Sequence, residues 1–89
     1  MLNFPNPNRS FDETRNRVRF WGYDRALEIS FFVEADALQK LSPEMITAES
    51  GFLTAFDASR KQIYEAADYV YVHGGRKGSY AYSLTAKDF

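Results

Sequence analysis

The sequence predicts an α+β domain of two layers, an antiparallel sheet with helices against one face, and three observations predict it. Apolar and polar residues alternate from Arg17 to Trp21 and again from Leu27 to Val33. Apolar residues then recur at helical spacing from Phe52 to Val70, and alternation returns from Tyr80 to Leu84. Periods of two and of 3.6 residues mark a half-buried strand and a one-sided helix. An N-terminal meander and a C-terminal strand supply the sheet; one long helix and one short helix supply the second layer.

Each element has a local reason. NFPNPN is extended or turning, because proline removes a backbone donor and pushes the preceding residue out of the helical region. RSFD is a short first strand and ETRN a polar turn. In RVRFW, Val18 and Phe20 point one way and Arg17, Arg19 and Trp21 the other. GYDR has the glycine and aspartate of a turn, and ALEISFFVE resumes the alternation with Leu27, Ile29, Phe31 and Val33 inward. The simplest hairpin sets Trp21 by Ala26, Phe20 by Leu27, Val18 by Ile29 and Arg19 opposite Glu28, since opposite charges across strands favour a register by a few tenths to about 1 kcal/mol.

The period changes at EADALQKL, where Asp36 is expected to cap a short helix ending by Leu41, with Gln39 reaching back. Ser42 and Pro43 match an N-cap and first helical position, so PEMI is expected to add a turn. From about Ser50 to His73 the seam Phe52, Phe56, Ile63, Ala67 and Val70 predicts a helix of roughly 34 Å, with a break allowed near Ser59. Asp57, Lys61 and Glu65, four apart, are expected to form an ion ladder on its far side.

The chain has 89 residues and no cysteine, which limits it to one domain, residues 1–89, and removes disulfides, thiolate nucleophiles and cysteine metal sites. MLNFPNPNRS lacks the cationic lead and apolar stretch of a secretory signal, and no apolar run nears the roughly 20 residues of a membrane span. A cytoplasmic protein is expected. Net charge is −1, which argues against general nucleic-acid binding. The charge is segregated, however: residues 1–25 carry five arginines against three acids, residues 26–69 three cations against eight acids, and residues 70–89 three cations against one acid.

VHGGRKGSY, residues 72–80, holds three glycines, two cations and the only histidine. A phosphate-binding glycine loop leads from a strand into a helix N-terminus, where free N–H groups meet the anion. Here the order is reversed, and a helix end presents carbonyls of negative character. The glycines are therefore expected to cap the helix, with His73, Arg76 and Lys77 compensating its end, and anion contact by Arg76 and Lys77 is the minor alternative. No GxSxG pattern surrounds Ser79 or Ser83, one histidine is too few for a zinc site, and the acid pairs Asp12 with Glu13 and Glu34 with Asp36 are ordinary features of turns and helix starts. No catalytic residue, metal or cofactor is expected.

Fifteen aromatics, 17% of the chain, exceed what so thin a core hides. On the expected alternation Arg17, Arg19, Trp21 and Phe32 share the face turned away from the helices, which makes them the candidate binding residues. Three uses compete: cover by Leu2 and Phe4 folding back, contact with a protein partner or a second copy, or stacking of RNA or another polyanion. Glu28 and Glu34 on the same face weigh against the last.

The stretches NFPNPNRSFD, VRFWGYD, ALEISFFVEADAL, FLTAFDASRKQIYEAA and GSYAYSLTAKDF together resemble the bacterial domain-of-unknown-function family 1488 across nearly the whole chain. The resemblance implies a short stand-alone α+β protein of the cytoplasm and transfers no catalytic residue.

Overall fold

The computed structural model describes residues 2–43, 49–73 and 81–89. Strands β1 (Ser10–Asp12), β2 (Arg17–Asp24) and β3 (Leu27–Glu34) precede helices α1 (Ala35–Leu41), α2 (Glu49–Ala58) and α3 (Arg60–Val72). Strand β4 (Ala81–Leu84) and a single 3₁₀ turn (Ala86–Asp88) follow. The sheet runs in the order β1-β2-β3-β4. Its first three strands are the expected antiparallel meander, but β4 lies parallel to β3, pairing Ser30 with Ala81 and Val33 with Leu84. The sheet is thus mixed and not wholly antiparallel. A parallel neighbour needs a crossover, and the helical layer between β3 and β4 is that crossover.

The hairpin register differs from the expected one by four residues. Phe20 pairs with Phe31, Val18 with Val33, Trp21 with Ser30 and Arg19 with Phe32, while Glu28 faces Tyr23. Gly22, Tyr23 and Asp24 belong to β2, and the turn is Arg25–Ala26, with Arg25 at φ 57°. A shift by an even number keeps every side chain on its face, so Val18, Phe20, Phe31 and Val33 still point inward and are fully buried. Leu27 is the exception among the expected inward residues: at the hairpin tip it is 61% exposed.

Asp36 does not cap α1. Glu34 occupies the N-cap without a side-chain bond, and Asp36 lies in the first turn opposite Lys40 in the last, where both charges suit the helix dipole. The extra turn expected at PEMI falls largely outside the described residues. The long helix is two helices. The Ser59 N–H is shared between the carbonyls of Ala55 and Phe56, both at 3.1 Å, and Ser59 has φ −116°. The break falls at the one polar residue of the apolar seam, where the backbone leaves helical geometry for a single residue. The expected seam of Phe52, Phe56, Ile63, Ala67 and Val70 is buried, and Ala55 joins it. Each fully buried Phe, Leu or Ile contributes roughly 1.5–3 kcal/mol.

The N-terminal segment is strapped across this layer. The Leu2 N–H donates to Asp68 Oδ1 (2.9 Å), Asn3 and Tyr23 exchange two backbone bonds, and Phe4 stacks on Tyr64 with centroids 4.1 Å apart. Arg9 makes a two-point contact with Asp57, while Arg60 donates to Asp57 Oδ1 and the Pro7 carbonyl. Asp57 therefore serves the strap in place of the expected ladder with Lys61 and Glu65.

The Arg9 guanidinium holds Asp57 below the usual carboxylate range, partial desolvation opposes it, and Arg60 adds to the lowering. A carboxylate with a depressed folded pKa stabilises the fold above its unfolded pKa, about 3.9, and loses that contribution as pH falls through the folded value. Asp57→Asn should therefore flatten part of the loss of thermal stability below about pH 4. The side chain is 42% exposed, so solvent screening keeps the effect small. Melting curves at pH 7 and pH 3 check it, and an unchanged acid-side fall would remove the ion pair from the account.

Candidate functional site

With the helices on one side, alternation turns Arg17, Arg19, Trp21 and Tyr23 of β2 and Glu28, Ser30, Phe32 and Glu34 of β3 to the other. All four candidate residues lie together there. The Arg17 guanidinium sits 3.5 Å from the centroid of Phe32, and that of Arg19 lies 5.3 Å from Trp21 and 5.9 Å from Phe32. Such cation–π contact is worth about 0.5–1 kcal/mol at exposed sites, and Trp21 and Phe32 are both half-buried.

The two arginines are not equivalent. Arg17 Nε reaches Asp12 Oδ2 at 3.1 Å and its Nη1 reaches Glu34 Oε2 at 3.5 Å. Its charge is thus neutralised within the chain, and the hydrogen bond from Arg17 lowers the Asp12 pKa. Arg19 is exposed and donates from Nη2 to the Ser30 hydroxyl at 3.0 Å. Across the face, the Tyr23 hydroxyl donates to Glu28 Oε2 at 2.7 Å, which raises the Tyr23 pKa.

Leu2 and Phe4 do not cover this face. Leu2 belongs to the buried core, and Phe4 packs on Phe20, Phe31 and Tyr64 on the helical side. Gly22 explains the choice of side: a Cβ there would stand 2.7 Å from Phe4 Cε1, so the missing side chain is the notch that admits the ring. Tyr23 and Ser30 are members of the face that sequence reasoning missed. Tyr23 sits in a stretch with the composition of a turn, whereas Ser30, two residues from Phe32, was accessible from parity alone.

Of the other candidates, Asp12 and Glu34 join this face at Arg17. Gly74 to Tyr80, and with them Arg76, Lys77 and Ser79, lie outside the described residues. His73 ends α3, stacks on Tyr69 at 3.9 Å and places Nδ1 2.9 Å from the Tyr69 carbonyl oxygen, as a helix-end histidine should. Asp12 accepts from Arg17 and from the Thr14 N–H, Glu34 accepts from Arg17, and Asp36 lies in the first turn of α1. At the far end of the hairpin, Tyr71 donates to Asp24 Oδ2 at 2.6 Å. Among the described residues no three His, Cys, Asp or Glu side chains converge as a metal site, and no helix is long and apolar enough to cross a membrane.

No curated protein matches the chain. Its fold is similar to that of a crystal structure described as a protein of unknown function from the DUF1488 family of Shewanella loihica PV-4. The TM-score is 0.83 at 17% identity, over 93% of this chain and 90% of that one. At that identity the likeness speaks for the fold alone. Residues 2–84 match the family described as "Protein of unknown function (DUF1488)", and the chain belongs to that family.

Proposed function

We propose that the chain is a non-enzymatic protein-binding domain whose working surface is the outer sheet face built on Arg17, Arg19, Trp21 and Phe32. The observation that carries this reading is the presence of two large aromatics, stacked under arginine, on the side of the sheet opposite the helices. Arginine and tryptophan are the residue types that dominate protein contacts. A polyanion is the weaker reading, because Asp12, Glu28 and Glu34 edge the same face and two of them already neutralise Arg17.

Affinity capture of the tagged chain, compared with Trp21→Ala, tests the proposal. A co-purifying protein should bind the variant at least about thirtyfold more weakly, the loss expected of an interfacial hot spot. Equal recovery of every species with both chains would show that the face is not the working surface. A labelled single-stranded RNA should show no binding at low ionic strength, where phosphate contacts are strongest; tight, salt-sensitive binding would replace this reading with the polyanion one.

A further inference from the structure

The outer face contains two charges with no ion partner among the described residues, one of each sign. Among the described residues, Arg19 donates to the neutral Ser30 hydroxyl alone, and Glu28 accepts from the neutral Tyr23 hydroxyl alone. Arg17, by contrast, is closed off by Asp12 and Glu34. The register places the two open charges symmetrically about one point. Arg19 lies two residues before Trp21 on β2; Glu28 lies two residues from Ser30, the cross-strand partner of Trp21, on β3 and opposite Tyr23. Their backbones are separated by about 14 Å on the same face, with the Trp21–Ser30 pair midway.

We propose that the partner recognised by this face is a second copy of the chain. The two copies are related by a two-fold axis that runs between the apposed faces and crosses the strands at the Trp21–Ser30 pair. That operation exchanges the two ends of the face. Trp21 meets Trp21 of the other copy, and Arg19 of each copy comes over the Tyr23–Glu28 pair of the other. Each contact is thereby made twice, as an isologous interface requires. Each open cation meets an open anion and a tyrosine ring together. Four strands about 4.8 Å apart, the central two about 27 Å long, offer roughly 500 Å² per copy. That is below the roughly 800 Å² per partner of a standard interface, so the dimer is a weak one that forms at micromolar concentrations and above.

The proposal rests on the outer face being a protein-contact surface, and its test separates the two ideas. Sedimentation equilibrium over a concentration series should show reversible dimerisation of the wild-type chain. Arg19→Glu and Glu28→Arg alone should each weaken it at least tenfold, because each homodimer then opposes like charges twice. An equimolar mixture of the two variants should dimerise as the wild type does, because both contacts of the mixed pair again set a carboxylate against a guanidinium. This recovery cannot arise from a change within one chain. Both positions are exposed, and unchanged far-ultraviolet circular dichroism confirms that the variants fold.

A wild-type chain that stays monomeric to millimolar concentration overturns self-association while leaving the face free for another protein. A wild-type dimer with no recovery in the mixture overturns the two-fold register. Dimerisation of Trp21→Ala at wild-type strength removes the face from both proposals.

Discussion

Replacing Phe20 with alanine lowers the stability of the domain by about 3–5 kcal/mol. The ring is 1% exposed and stands at the centre of an aromatic cluster, with centroids 5.2 Å from Phe56, 5.3 Å from Phe31, 5.8 Å from Tyr64 and 6.3 Å from Phe4. These neighbours come from the N-terminal strap, the sheet and both longer helices, so truncation leaves a cavity that no single element can close. A domain of this length has a total stability of about 4–13 kcal/mol, so this loss is a large share of it. Urea titration followed by circular dichroism should show the midpoint falling accordingly. A shift worth less than about 1 kcal/mol would mean that the cluster collapses around the missing ring.

The second large effect lies at Gly22. A methyl group there would meet Phe4 Cε1 at 2.7 Å and its Cδ1 and Cζ at 3.2 Å. Phe4 cannot retreat freely, because its ring stacks on Tyr64 and the adjacent Asn3 is tied to Tyr23 by two backbone bonds. Gly22→Ala should cost about 1–3 kcal/mol, as overpacking does. Phe4→Ala is destabilising by itself, but it empties the space the new methyl needs. In that background Gly22→Ala should be nearly neutral, since alanine is less costly than glycine to order in a strand. The coupling in a double-mutant cycle should therefore fall in the range of about 0.5–3 kcal/mol found for residues in contact. Additive effects of the two substitutions would mean that Phe4 does not occupy the notch in solution.

Much of this architecture was legible in the sequence because alternation and helical spacing fix which side of an element faces the core. Val18, Phe20, Phe31 and Val33, and the seam from Phe52 to Val70, are buried as their spacing requires. What alternation fixes is parity, so the hairpin moved by four residues without moving any side chain to the other face. The pull toward GYDR came from its glycine and aspartate. The chain instead turns at Arg25 in a positive-φ conformation that non-glycine residues rarely adopt, which leaves no compositional trace. Gly22 was needed for the approach of Phe4, a long-range demand no local pattern announces.

The direction of β4 was equally hidden, because alternation reads the same in both senses; the path of the helices determines it. Ser59, a polar residue on an otherwise apolar seam, did mark the break between α2 and α3. The candidate face followed from parity, and Arg17, Arg19, Trp21 and Phe32 lie together on it. The charge balance did not follow: that Arg17 is neutralised and Arg19 is open depends on a register only the structure supplies.

The parallel pairing of β3 with β4 also sets an order of events during synthesis. Strand β3 can pair with β2 as soon as both have been made, but its other edge waits for Ala81–Leu84, about fifty residues later. At ribosomal speeds of roughly 5–20 residues per second that delay is about 3–10 s. Through that interval the nascent hairpin carries an unpaired edge beside Phe31 and Val33, the kind of edge that recruits foreign strands.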